Sequence, residues 1–318
     1  MNHSQMLHSS RRQFLRSAGL AAAAASLVPH SIFGQQADMV ATARAAAANA
    51  KITLTPLRRN VSLLSGSGGN IAVLNGPDGK LLVDAGFSSS RAHIEAALNT
   101  LDRRPIRHLI DTHWHFDHTD GNEWMHKAGA TITAHKNTLT HLSQPTTIAA
   151  FAYTFQPAPA AARPTDIVAD DSILLANGST VVLHHYDPAH TDSDLSVNFI
   201  EADVFHCGDT WFNGFYPFID YSTGGSIDGM IAASSLNLAR TASSTIIIPG
   251  HGPVGTRAQL KEFHDMLATV RGNVAALKAK GMALDAAIAA KPTAAFDAKW
   301  GGGSRKPDDF VGLVYQGV

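Results

Sequence analysis

His113-Trp114-His115-Phe116-Asp117-His118 is the stretch that decides how this chain reads. Three imidazoles and one carboxylate fall within six residues. Imidazole nitrogen is a good zinc ligand, and a carboxylate oxygen completes such sites. The competing reading is a polar loop of hydrogen-bonded histidines, but packing accounts poorly for that density. Upstream, residues 106–110 read as a buried strand; downstream, residues 121–127 read as a short helix closed by Gly129. The cluster is therefore expected on a loop between a strand and a helix, where a rigid sheet holds catalytic groups.

Working outward, short β-like runs are expected at 52–54, 61–64, 71–74 and 81–83, and residues 91–101 carry apolar groups at helical spacing. Ser65-Gly66-Ser67-Gly68-Gly69-Asn70 interrupts the strands and is expected to be a flap over a site, or simply a turn. The second half repeats the theme. A strand at 181–184 leads to His190, strands at 196–200 and 204–207 precede Asp209, and a strand at 245–248 ends in Pro249-Gly250-His251-Gly252. A helix follows from Thr256, with Gln259 as its capping-box partner and Leu260, Phe263, Leu267, Val270, Val274 and Leu277 as its apolar stripe. Two strand-rich halves with helices outside point to an α+β fold, two sheets packed face to face under helices.

Length allows one large domain or two modest ones. The chain has 318 residues, 45% hydrophobic and 16% charged, enough for a large core. A formal net charge of −1 offers no basic excess, which argues against a nucleic-acid partner. Cys207 is the single cysteine, so no internal disulfide can form. The expected organisation is a leader over 1–43, a domain over 52–290 and a C-terminal tail over 291–318, with 39–51 as leader remnant or linker.

The leader carries an address. Ser10-Arg11-Arg12-Gln13-Phe14-Leu15-Arg16 resembles the twin-arginine export pattern, and the alanine-rich run to Val28 is too short to span a bilayer. Cleavage is expected at Ala41-Thr42-Ala43 or earlier, near Ala37. The reading implies passage through the twin-arginine export machinery, a periplasmic or otherwise exported location, and no stable membrane insertion afterwards.

Four segments end strands with metal-type residues: the histidine cluster, His190, Asp209 and His251. Together they offer five histidines and two aspartates. One catalytic zinc needs three protein ligands, so seven candidates suffice for two metals sharing a bridging group. Cys207 is a possible thiolate competitor to Asp209, but reads better as a small buried hydrophobe. Trp211, Phe212, Phe215, Tyr216, Phe218 and Tyr221 crowd the segment after Asp209, as pocket wall or as anchors of a long loop. Phe151, Tyr153 and Phe155 form a second such group.

These motifs resemble those of the metallo-beta-lactamase-fold hydrolases over about residues 54–254. His113-x-His115-x-Asp117-His118 matches the signature loop of that superfamily. His190 in Asp187-Pro188-Ala189-His190-Thr191, and His251, match later ligands, and Asp209 in Cys207-Gly208-Asp209-Thr210 matches the bridging aspartate of the glyoxalase II-like branch. The resemblance implies a four-layer αββα sandwich with metals at one sheet edge. One Zn2+ would be held by His113, His115 and His190, a second by Asp117, His118 and His251, with Asp209 bridging. Asp117 would also be catalytic, and Asp84 would orient a ligand from behind. His115 stands where flavodiiron relatives usually carry glutamate, which favours hydrolysis over redox chemistry. The function implied is an exported zinc hydrolase whose metal-bridging hydroxide cleaves an ester, thioester, lactone or amide-type bond of a small molecule. The alternatives are β-lactam hydrolysis, or a non-catalytic periplasmic metal- or ligand-binding protein or accessory factor of a quinoprotein oxidation system.

Overall fold

Two sheets carry the architecture. The structure, a computed structural model, describes residues 31–318, with side chains from residue 39 onward. The twin-arginine pattern lies outside the described residues. The first sheet contains β1 (Thr53–Arg58), β2 (Val61–Ser65), β3 (Ile71–Gly76), β4 (Gly79–Val83), β5 (Ile106–Ile110) and β6 (Thr131–His135). A hairpin of β7 (Thr146–Ile148) and β8 (Tyr153–Phe155) stands apart, and β9 (Asp166–Val168) joins the first sheet beside β6. The second sheet is β10 (Ser172–Ala176), β11 (Ser179–His185), β12 (Leu195–Phe199), β13 (Val204–His206) and β14 (Ile246–Ile248).

Strand periodicity explains the layering. Successive side chains point to opposite faces. Val61, Leu63, Ala72, Leu74, Leu81 and Val83 therefore face inward and share one core with Val181, Leu183, Val197 and Phe199 of the other sheet. The alternate residues Leu64, Ile71, Val73 and Leu82 face outward onto Ile94 and Leu98 of a helix. Both faces are buried, so β2 to β4 read as continuous apolar runs rather than as an alternation.

The helices are α1 (Ser31–Ala48), α2 (Arg91–Leu101), α3 (Phe116–Thr119), α4 (Asn122–Lys127), α5 (Lys136–Ser143), α6 (Ile227–Arg240), α7 (Arg257–Ala279), α8 (Leu284–Ala289), α9 (Asp297–Trp300) and α10 (Pro307–Gln316). Helix α2 covers the first sheet; α6, α7 and α10 cover the second. The result is an α+β fold with four αββα layers. Thr256 and Gln259 form the expected capping box at the start of α7.

Both expected domain limits need correction. Residues 291–318 are not a tail: Trp300, Phe310, Val311 and Val314 are buried in the same core as Trp211 and Tyr216. Their elements are short and separated by Gly301, Gly302 and Gly303, which hides the apolar pattern. Residues 39–48 are not a linker either. They continue α1, which buries Val40 and Ala47. The Arg44 guanidinium donates to Asp120 Oδ1 (2.8 Å), and Ser89 and Ser90 donate their hydroxyls to the carbonyls of Arg44 and Ala47.

The C-terminal packing can be tested directly. The Phe310 ring stacks on Tyr216, with centroids 4.5 Å apart and 14° between planes. Phe310→Ala is expected to cost about 3–5 kcal/mol, the usual penalty for truncating a buried phenylalanine. Denaturant unfolding of variant and parent measures it; a loss below about 1 kcal/mol would restore the tail reading.

Candidate metal centre

The functional residues gather where strands end. Asp84 follows β4, the histidine cluster follows β5, His190 lies beyond β11, Asp209 beyond β13 and His251 beyond β14. The parallel pairings β4–β5 and β13–β14 bring these ends to one edge. There the Leu195 amide donates to the Thr112 carbonyl (2.7 Å), tying the second sheet to the first.

All seven expected ligands meet at this edge, in two groups. His113, His115, His190 and Asp209 form one, and Asp117, His118 and His251 the other, with donor atoms in each group within 4.8 Å of one another. Asp209 lies between them. Its Oδ1 is 3.2 Å from His118 Nε2, and its Oδ2 is 3.4 Å from both His190 Nε2 and His251 Nε2. Cys207 belongs to neither group. It is buried, and burial pushes its thiol up.

The hydrogen bonds behind the ligands fix which imidazole nitrogen faces the centre. His118 Nδ1 donates to Asp84 Oδ2 (2.7 Å) and His190 Nδ1 to the Phe218 carbonyl (2.9 Å). His115 Nε2 donates to Asp220 Oδ2 (3.1 Å). Thr112 gives its own proton to Asp84, so its hydroxyl accepts from His113 Nδ1 (3.0 Å). In the neutral ring, each inner nitrogen then carries a lone pair. Yet His190 Nε2 and His115 Nδ1 are 2.9 Å apart, and His118 Nε2 and His251 Nε2 are 3.3 Å apart. Lone pairs at such distances repel unless a cation lies between them. His113 Nε2 and Asp209 Oδ1 are buried with no hydrogen-bond partner among the described residues. These donors fit metal ions.

The electrostatics agree. Burial opposes charge on His118, but Asp209, Asp117 and Asp84 together raise it well above its ordinary value. Burial is likewise overcome at His251, which Asp209 and Asp117 push up to about 10. His113 and His190 go the other way, lowered by burial and by neighbouring imidazoles, His190 to about 4. Asp117 is lowered to about 2, because His118 and His251 outweigh its burial.

Asp84 occupies the orienting position that the resemblance implied. It accepts from the Thr112 amide as well as from His118, and its φ of 67° is a left-handed conformation rare outside glycine. Asp220 plays the matching role for His115 and was not anticipated; nothing near it in sequence marks it as functional. Of the two readings of the glycine-rich segment, a flap or simply a turn, the turn holds. It is a brace, not a flap. The Gly69 amide donates to the Asp117 carbonyl, the Asn70 amide to the Gly250 carbonyl, and the Asn70 side chain to the Pro249 and Gly252 carbonyls. A Cβ at Gly69 would lie 2.1 Å from His118 Cε1, so only glycine lets the turn pass this close.

A cavity of about 330 Å³ opens over Asp117, Asp209, His115 and His251. The aromatic residues after Asp209 divide between the two expected roles. Phe212, Phe215 and Phe218 line the cavity. Trp211 and Tyr216 are fully buried anchors. Phe151 lines the cavity and stacks on Phe218, whereas Phe155 packs on Phe116 and Trp114 beside a neighbouring pocket.

The sequence profile of the metallo-beta-lactamase superfamily matches residues 64–251. The chain belongs to the metallo-beta-lactamase superfamily. Members are typically metal-dependent hydrolases. Similar solved structures include the stereoselective inverting sec-alkylsulfatase Pisa1 from Pseudomonas sp., at 17% identity and a TM-score of 0.60, covering 83% of this chain and 50% of that one. The chain thus spans about half the length of that enzyme. A metallo-beta-lactamase from Pontibacter korlensis matches at 16% identity and a TM-score of 0.54, covering 68% of this chain and 99% of its own. The DIM-1 metallo-beta-lactamase matches at 19% identity and a TM-score of 0.55, covering 69% and 98%. At such identities the likeness is one of fold. No curated protein sequence matches the chain significantly.

Two outcomes are expected. Asp220→Asn is expected to weaken metal binding at the three-histidine group by about 10–100-fold, and Asp84→Asn at the Asp117 group, since such partners orient the ligands. Competition titration against a chromophoric chelator reads both; unchanged affinity in both variants would contradict the assignment. Metal loading is also expected to release protons from His118 and His251, because a metal takes the neutral imidazole. Apparent affinity therefore rises with pH towards about 10, the value for His251. Calorimetry at pH 7 in buffers of different ionisation enthalpy checks this, and equal heats would contradict it.

Proposed function

We propose that this chain is an exported, zinc-dependent hydrolase that cleaves an ester, thioester, lactone or amide-type bond in a small molecule with an apolar or aromatic group. The observation that carries this is Asp209 set between two groups of inward-facing ligands beneath a phenyl-lined cavity. His113, His115 and His190 would hold one Zn2+, and Asp117, His118 and His251 a second, with Asp209 shared. Bound there, two dications would supply a Lewis acid and make a water molecule acidic enough to serve as nucleophile near neutral pH.

The chain's own residues do the rest. Asp117 is more open to the cavity than Asp209, its side chain 20% exposed against 4%. Its Oδ2 faces His251 Nε2 at 3.2 Å, which leaves Oδ1 to orient the attacking water and accept its proton. Asp84 and Asp220 keep His118 and His115 in the tautomers the site needs. The phenyl walls exclude bulk water and favour an apolar acyl or alkyl group. Export is supported by the arginine pair and apolar run at residues 11–28, and twin-arginine transport, which carries folded proteins, suits a cofactor-loaded enzyme. The near-neutral charge balance supports a small-molecule substrate over nucleic acid.

The test is a chromogenic panel of ester, thioester, lactone, β-lactam and alkyl sulfate substrates, run on zinc-loaded protein with metal content measured. Turnover of at least one acyl substrate is expected. Asp117→Asn is expected to lower kcat by about 10²–10⁴-fold at matched metal content, the range for losing a positioned general base. Turnover of the β-lactam alone would make the chain a β-lactamase. No turnover of any substrate with metal bound would favour the carrier or accessory reading.

A further inference from the structure

Arg305 is the cation of this cavity that the metal chemistry leaves unused. It lines the same space as Asp117 and His251, yet lies beyond the superfamily match at residues 64–251. Its guanidinium carbon is 4.7 Å from the Phe218 ring centroid and 5.4 Å from that of Phe151. Among the described residues it makes neither a hydrogen bond nor an ion pair. Burial pulls its pKa below the ordinary arginine value against the opposing pull of Asp309, so it is half-buried and partly stripped of water. Such a cation is costly unless something pairs with it.

Its placement is built into the fold. The Tyr216 amide donates to the Trp300 carbonyl (2.9 Å), which brings the loop after α9 onto the cavity wall. Gly303 lies so close that a Cβ there would be 2.6 Å from Phe215 Cβ. Held against the edge of this stacked phenyl pair, the guanidinium keeps N–H donors available for a ligand. One phenyl ring separates it from the metal ligands, for the Phe218 and His115 rings stack with centroids 6.0 Å apart.

We propose that Arg305 is a specificity-determining residue that binds an oxyanion on the substrate, at the end remote from the bond cleaved. The substrate class is then an amphipathic monoanion, with an apolar or aromatic body along Phe212, Phe215 and Phe218 and a carboxylate, sulfonate or phosphonate on Arg305. This rests on the hydrolase reading of the site. It differs from a sulfate ester, whose anion is part of the bond cleaved.

Binding and turnover separate the two ideas. Calorimetry on zinc-loaded protein would use 4-phenylbutyrate, 3-phenylpropanesulfonate and 3-phenylpropylphosphonate, with neutral 4-phenylbutyramide as control. The parent is expected to prefer the anions. Arg305→Gln is expected to weaken anion binding by about 10–100-fold, the range for a lost charge-assisted hydrogen bond, and to leave the amide unchanged. Arg305→Lys is expected to restore part of the loss. The ranking of the three anions identifies the group preferred. In turnover, Arg305→Gln is expected to raise KM for the 4-nitrophenyl monoester of adipic acid more than for 4-nitrophenyl hexanoate, with kcat retained. Equal loss for anion and amide, equal binding of both by the parent, or no binding of either overturns the proposal. Arginine-dependent anion binding without turnover of any ester, thioester, lactone, β-lactam or alkyl sulfate would instead overturn the hydrolase reading alone. Metal content and thermal midpoint confirm that each variant is folded.

Discussion

Imidazole lone pairs forced together away from water are the constraint on which this structure depends. His115, His118, His190 and His113 each have their outer nitrogen tied, to Asp220, Asp84, the Phe218 carbonyl and Thr112 respectively. Every tie turns an inner lone pair towards the same small volume. A buried acceptor without a donor is unfavourable, and several facing one another are more so. Protonating His118 and His251 relieves part of this; cations relieve all of it. A metal bound here would therefore be coupled to native structure, because the ties come from segments far apart in sequence. Loosening any one lets its ring turn and removes a ligand.

The architecture exists to hold those ties in register. Strand ends from two sheets meet at one edge, and the glycine-rich turn fixes their spacing. Asn70 grips the loop bearing His251, and Gly69 grips the backbone of Asp117. The absence of side chains at Gly69 and Gly250 is as necessary as the ligands themselves. A Cβ at Gly250 would lie 1.9 Å from Asp209 Oδ1, so any larger residue would displace the carboxylate shared by both ligand groups. The left-handed backbone at Asp84 belongs to the same device, strain accepted where a carboxylate must reach both His118 and Thr112.

What the chain disclosed in advance follows from how local each signal is. The seven residues of the candidate centre were legible because metal-type residues cluster in sequence, or follow an apolar strand directly. Helix α2 and strand β5 were legible from their apolar spacing. Asp220 was not, because its meaning is a contact with a histidine 105 residues away. Helix α6 was hidden for another reason: its buried face includes Ser234 and Asn237, and Asn237 bonds to Tyr186 and Thr210 rather than to apolar neighbours. Polar residues on the inner face erase the periodicity that marks a helix. The turn at 65–70 was legible as a turn, but not its bracing contacts, because glycine content does not reveal which backbone it will pack against.

The metal-type residues and part of the cavity wall come from different parts of this chain. All seven candidate ligands fall within residues 64–251, the span shared with the superfamily. Met39 and Val40 come from before that span and Arg305 from after it, yet all three wall the same cavity. Membership of the superfamily therefore speaks to how a bond is broken, not to which molecule is admitted. The added walls are not ornaments on a finished domain. Val40 is fully buried, and Trp300 and Phe310 share a core with the residues that anchor the loop after Asp209. A chain cut back to the shared span would keep its ligands but lose the surface that excludes water from them. The shape of the cavity is inseparable from folding, since the side chains that stabilise the terminal segments also position its outer walls.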